Sequence, residues 1–268
     1  MTQAESLRIL AASDGAPVTT DNPRGSSAVL LICEHASKYI PASLNNLDLD
    51  DRTTNSHVAW DPDALAVAKL LSTTLNACLI YANISRLVYD CNRPPYAPGA
   101  MPVKSEIFQI DGNRNLSDAA KEARISEIYL PFTKAIETQI TARSKAGRPT
   151  VIVTIHSFTP IYFGETRNVE LGLLHDQDSR LVDAMLALPN SMDVRRNQPY
   201  GPQDGVTHTL QVHALENGAL NVMIEIRNDL ITTEADQVSV ANELAQIIVG
   251  ALKNLGMPAK NAKDLSSA

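Results

Sequence analysis

Short apolar runs recur along this chain and alternate with stretches whose apolar residues repeat at helical spacing, and that alternation restricts the fold more than any other feature. Five runs read as strands: Ala28 to Cys33, Cys78 to Ala82, Thr150 to Ile155, Val169 to Leu174 and Asn221 to Ile226. Most are continuously apolar, as expected of strands covered on both faces. The rhythm predicts an α/β fold in which helices pack on the faces of one sheet. With 268 residues, 44% of them hydrophobic, the chain can fill one large core, and a single domain over 1–268 is expected.

Asp61 to Leu75 sets Leu65, Ala68, Leu71 and Leu75 on one helical face, and Ser117 to Lys145 does the same with Ile125, Ile128, Phe132, Ile136 and Ile140. Ser117 or Asp118 suits the N-cap of the second helix, and Pro131 predicts a kink or break near Leu130. His175 to Leu188 and Thr232 to Leu255 complete the helices. Asn92 to Asn115 is rich in Pro and Gly, lacks periodicity, and is long enough to be a functional surface loop. The end segments, 1–24 and 258–268, have little to bury and are expected to be poorly ordered or peripheral.

Net charge excludes one class of partner. The formal charge is -7, and the Lys and Arg residues are scattered rather than gathered in a stripe, so there is no footprint for nucleic acid. No stretch approaches the roughly 20 apolar residues needed to span a bilayer, and Met1 to Arg24 lacks the basic start and apolar run of a secretory signal. Cys33, Cys78 and Cys91 have no CxxC spacing and read as small core residues in a reducing compartment. A cytoplasmic protein without nucleic-acid or membrane partners is expected.

Polar groups at the ends of apolar strands are the functional signal, because open α/β sheets bind ligands beyond the carboxyl ends of their strands. Glu34-His35-Ala36-Ser37 follows the first strand, His156-Ser157-Phe158 follows the third, and Glu225 sits inside the last. Either histidine alone reads as a hydrogen-bonded core residue. A carboxylate left uncompensated in an apolar strand is costly, so Glu225 needs a cation, a hydrogen-bond network or a catalytic role. Together with Asp61, the two histidines match the three N/O ligands of a catalytic zinc that keeps a position open for water. Asp61 also suits a helix start, with Pro62 in the first turn. His57 competes as third ligand; Asp61 is preferred because a mixed set leaves bound water nucleophilic.

At this point the chain resembles the N-formylglutamate amidohydrolases over roughly Ala28 to Ile231. The blocks that carry the resemblance are CEHAS (33–37), SHVAWD (56–61), SRLVYDCNRP (85–94), IHSF (155–158), NQPYG (197–201) and EIRNDLI (225–231). Their joint order is more specific than any one of them. The resemblance implies a three-layer, mixed and mostly parallel sheet of the zinc carboxypeptidase type, and hydrolysis of N-formyl-L-glutamate to formate and glutamate within histidine degradation. Similarity to zinc-dependent cell-wall amidases, with His, acid, His and Glu in the same chain order, favours His35, Asp61 and His156 as ligands of one Zn2+, other divalent metals being possible. Lys38 stands where carboxypeptidases place the acid of their HxxE pair, so the second ligand comes from elsewhere.

Under that resemblance Glu225 is the catalytic residue, taking a proton from water and returning one to the leaving nitrogen. A substrate with two carboxylates calls for guanidinium partners, and Arg86, Arg93 and Arg227 are the candidates, with Asp229 as a support for Arg227. Asn197, Tyr200 and His213 belong to or follow the same blocks and are expected to line the pocket, Tyr200 or His213 facing the oxyanion. His175 and His208 read as solvated or capping residues. The alternatives are a zinc amidohydrolase for another small N-acyl amino acid or peptide, and a non-catalytic dicarboxylate-binding protein; Glu225 speaks against the latter. Oligomeric state is not legible.

Overall fold

The computed structural model describes residues 7–257. The strands in chain order are β1 (Val18–Asp21), β2 (Val29–Cys33), β3 (Cys78–Ala82), β4 (Lys104–Ser105), β5 (Phe108–Gln109), β6 (Val151–Phe158), β7 (Ile161–Tyr162), β8 (Glu165–Thr166), β9 (Leu171–Leu174), β10 (Val194–Arg196) and β11 (Leu220–Arg227). Seven of them make one sheet in the order β1-β3-β2-β6-β11-β9-β10, and the pairs β4/β5 and β7/β8 are small separate hairpins. Neighbours β3, β2, β6 and β11 run parallel; β1 pairs antiparallel to β3 and β9 antiparallel to β11. All five expected strands lie in this sheet.

The helices are α1 (Asp51–Thr54), α2 (Ala64–Leu75), α3 (Asp118–Arg124), α4 (Leu130–Lys145), α5 (Arg180–Leu186) and α6 (Glu234–Asn254). Side chains alternate across the sheet. Val29, Leu31, Val153 and Ile224 therefore pack against α2, α5 and α6, while Leu30, Ile32, Ile152 and Met223 face the α3–α4 side. The result is an α/β fold of three layers around a mixed sheet. Each fully buried Leu or Ile contributes roughly 1.5–3 kcal/mol, so β2 and β6, with every residue buried, are fixed in register by packing.

Local chemistry decides the boundaries. Ser117 caps α3 through the Ala120 N–H. Ahead of Pro131 the chain widens into a π-helical turn at Ile125–Tyr129, since proline lacks an N–H and crowds the carbonyl four residues back. Helix α2 starts at Ala64, three residues later than expected, because Asp63 is left-handed (φ 62°). The expected helix over His175 to Leu188 contracts to Arg180–Leu186.

Within the segment expected to be poorly ordered or peripheral, 1–24, residues 18–21 form the edge strand β1, paired with Leu79 to Ala82. The short polar run VTTD had no apolar pattern to mark it. The expected loose tail, 258–268, lies outside the described residues. Among the described residues no helix is long and apolar enough to cross a membrane.

Candidate functional site

The carboxyl ends of β2, β6 and β11 open into a cleft of about 440 Å³. β2 delivers Glu34 and His35 at its end, β6 carries His156, and β11 holds Glu225 directly beside His156 in the parallel register. Asp61 arrives from the turn before α2: its N–H donates to the His35 carbonyl at 2.9 Å. The late start of α2 frees the Asp61 carboxylate from any capping duty, and it turns into the site instead.

Asp61 Oδ2 lies 3.3 Å from His35 Nδ1 and 2.8 Å from His156 Nδ1, and the potential ligand atoms of the three residues all fall within 4.8 Å of one another. Ligands at roughly 2.0–2.1 Å around a tetrahedral ion sit about 3.4 Å apart, so the donors need little adjustment. The far nitrogens are held by further carboxylates. His35 Nε2 meets Asp90 Oδ1 at 2.7 Å, and His156 Nε2 pairs with Glu34 Oε2 at 3.1 Å. For His35 this is the carboxylate–histidine support that fixes ring and tautomer in metal sites, whereas Glu34 meets His156 as an ion-pair contact without hydrogen-bond geometry; both Nδ1 atoms face Asp61 Oδ2.

Charge accounting points the same way. Glu34, Asp61 and Asp90 are all buried, against Arg86, which contacts Asp61 at 3.3 Å and Asp90 at 3.1 Å, and Arg93, 3.8 Å from Asp90. With neutral imidazoles the three carboxylates still outnumber the two guanidiniums, and a bound cation offsets the excess. Without one the histidines must offset it. Burial opposes charging His156, but Glu34 and Asp61 override burial and hold it well above its ordinary range. His35 is raised too, Asp90 and Asp61 outweighing burial and Arg86. Burial likewise works against ionised Asp61 and Asp90, yet the His35 charge beside each keeps both below the usual carboxylate range. The cluster can hold a divalent metal.

Glu225 differs from these acids. Burial, reinforced by Asp61, raises its carboxyl to about 7 against the opposing pull of His156, His35 and Arg86. Its other sheet neighbour is Gly172. A Cβ there would stand 2.0 Å from the Gln198 carbonyl oxygen, so the missing side chain lets the 197–201 loop lie on β9. That loop brings Pro199 and Tyr200 into the cleft wall.

Of the other expected site residues, Arg86, Arg93 and Tyr200 line the cleft, and three do not. Arg227 shares a face with Glu225, but its donors are taken at the strand end by Asp229 (2.7 Å), the Asn168 carbonyl (3.1 Å) and Glu170. Asn197 anchors its loop, its Oδ1 accepting the His175 N–H at 2.9 Å. His213 lines a separate cavity with Thr150 and Leu220, at the amino ends of β6 and β11. His57 lines the cleft but pairs with Glu106 at 2.9 Å rather than joining the ligand cluster. Glu106 also accepts the Phe163 N–H, so the Asn92 to Asn115 loop forms part of the rim.

The sequence reading did not single out the supporting roles of Asp90 and Glu34, nor Arg167. Glu34 adjoins His35, and Asp90 lies in the 85–94 block, so an acid next to each ligand block was the available signal. Arg167 is packed by Phe158 and Tyr200, aromatic members of two of the quoted blocks.

Comparison with known proteins agrees with this geometry. The crystal structure of a gene product of Agrobacterium tumefaciens superposes with a TM-score of 0.91 at 53% identity, covering 93% of this chain and 100% of that one. The N-formylglutamate amidohydrolase of Ralstonia eutropha JMP134 superposes with a TM-score of 0.66 at 18% identity, covering 90% of this chain and 100% of that one, a likeness of fold alone. No curated protein matches. Residues 27–232 match the family model described as N-formylglutamate amidohydrolase, and the chain belongs to that family.

Proposed function

We propose that this protein is a metal-dependent amidohydrolase that cleaves N-formyl-L-glutamate to formate and L-glutamate. The observation that carries the reading is the convergence of His35, Asp61 and His156 beneath a cleft that Glu225 also lines, in a chain of this family. Zinc is the ion we assign, and His35, Asp61 and His156 would hold it, because two imidazoles and a carboxylate match its catalytic three-ligand sites; other divalent ions fit the same donors. When bound, the metal supplies Lewis acidity that polarises the amide carbonyl and acidifies water.

The chain's own groups do the rest. Glu225, poised at about 7, takes a proton from the attacking water when ionised and hands one to the departing nitrogen when protonated. Burial pushes the Tyr200 hydroxyl up to about 12, so it stays protonated and can donate to the oxygen that gains charge. Arg86 and Arg93 make the cleft favourable to an anion. The sheet order and the ligands at its carboxyl ends support membership of the zinc carboxypeptidase fold group and one catalytic domain. The three free buried cysteines fit a reducing cytoplasm, and the family resemblance suggests histidine degradation.

The test measures bound metal and formate release on freshly purified protein, with N-acetyl-L-glutamate as comparison substrate. About one zinc per chain and formate from the N-formyl compound are expected. Zinc without formate would remove the substrate assignment; no metal, even after zinc is supplied, would overturn the mechanism.

A further inference from the structure

Four arginines stand in or beside the cleft, and three have carboxylate neighbours. Arg86 contacts Asp61 and Asp90, Arg93 lies 3.8 Å from Asp90, and Arg227 pairs with Asp229 and Glu170. Arg167 lines the cleft, and among the described residues no carboxylate lies within ion-pair distance of it. A guanidinium has five N–H donors; one of them is used, on the Tyr200 hydroxyl at 2.8 Å.

An unpaired arginine at a surface ordinarily samples many rotamers in water. This one is clamped. Its guanidinium carbon lies 4.1 Å from the ring centre of Tyr162, 4.8 Å from Tyr200 and 5.8 Å from Phe158. The rings come from β7, from the loop laid on Gly172, and from the end of β6. Aromatic faces attract the cation without using its in-plane donors, so the fork is oriented while most of its hydrogen-bonding capacity is unspent. A planar fork of that kind recognises carboxylate bidentately, at low ordering cost because it is already held.

We propose that Arg167 is a specificity-determining residue that clamps one carboxylate of the substrate, while Arg86 is engaged in orienting Asp61 and Asp90. The proposal rests on reading the cleft as a site for an N-acyl amino dicarboxylate.

Two measurements separate the proposal from that reading. Calorimetric titration of glutarate into the zinc-loaded protein is expected to give a Kd about 10- to 100-fold weaker in Arg167→Met than in wild type, with Arg167→Lys between them. In steady-state assays Arg167→Met is expected to raise KM for N-formylglutamate by a similar factor, with kcat within about threefold. One of the two monoamides, N-formylglutamine or N-formylisoglutamine, lacks the clamped carboxylate and should lose little more in the variant. Tyr200→Phe, which keeps the ring but not the hydroxyl, should raise KM less than Arg167→Met does. Equal losses on all three substrates, or a fall in kcat alone, would mean that Arg167 only braces Tyr200 and would overturn the proposal. If wild type releases no formate, the substrate reading fails and glutarate still decides: weaker binding in Arg167→Met supports the clamp, and equal or absent binding in both proteins rejects it.

Discussion

His35 and His156 are 4% and 1% exposed; His208 and His213 are 9% and 4% exposed. Burial is nearly the same, and the chemistry is opposite. The first pair lies among Glu34, Asp61 and Asp90 and is driven toward the charged form. In the second pair burial prevails: His208, bonded to the Tyr129 hydroxyl at 2.8 Å, is lowered, and His213 is lowered to about 4. The carboxylates around a buried imidazole thus decide whether it is driven toward the charged form, in a cluster able to hold a divalent metal, or kept as a neutral core residue. Those carboxylates gather at the C-terminal ends of β2 and β6, whereas His213 sits in the π-helical turn Leu210–Ala214, away from them.

The sharpest way to break this distinction is to remove one histidine from each pair. His156→Ala should lower formate release by about 1,000-fold or more, since it removes a donor to the ion on which carbonyl polarisation depends, and zinc content should fall below one per chain. His213→Gln should leave both within about threefold. Comparable damage from the two substitutions would put His213 back among the functional residues. Next in size is Glu225→Gln, expected to cost about 100- to 10,000-fold in kcat with zinc retained. Because the raised Glu225 carboxyl must be ionised to act as base, wild-type kcat/KM should drop about tenfold per unit as pH falls below about 7. A flat profile down to pH 5 would exclude Glu225 as that base.

The same contrast explains what could be read from the sequence. Strand placement drew attention to His35, His156 and Glu225 because a polar residue at or near the end of a continuously apolar run falls beside the ligand-binding edge of an α/β sheet, and the structure brings all three to one cleft. Sequence proximity failed where the last turn of backbone decides direction. Arg227 stands two residues from Glu225, yet the strand ends there and Glu170 and Asp229 capture its guanidinium. Asn197 and His213 follow family-like blocks, but one anchors its loop and the other faces the opposite end of the sheet. Strand β10 (Val194–Arg196) was invisible for a different reason: it is three residues long, with two of them exposed arginines, and only its pairing with β9 makes it a strand.

His213 offers a test of the neutral pair that does not depend on catalysis. Its folded-state value, about 4, lies below the ordinary 6.5. Above pH 6.5 neither the folded nor the unfolded state binds the proton, and stability is unaffected. As pH falls toward 4 the unfolded chain protonates first, so stability is lost across that window. By pH 4.5 the loss is about 2–3 kcal/mol. Denaturant unfolding of wild type and His213→Gln at pH 7 and pH 4.5 isolates the effect, because acid release of metal is common to both proteins. The wild type should lose more than the variant by that amount; parallel losses would show that His213 is not held neutral.

The smallest effect probes whether the carboxylates, rather than burial, make the first pair into ligands. Asp90→Asn keeps an oxygen that can accept from His35 Nε2 but removes the charge that holds the imidazole in place and raises its basicity. Zinc affinity, measured by competition with a chelator, should weaken by about 10- to 100-fold, while the fold stays intact because Asp90 contributes charge rather than apolar packing. His208→Gln, also buried but outside the His35–Asp61–His156 cluster, should leave the affinity within about threefold. If Asp90→Asn bound zinc as tightly as wild type, the difference between the two histidine pairs would lie in backbone placement alone, and the buried acids would be there to stabilise the metal-free chain.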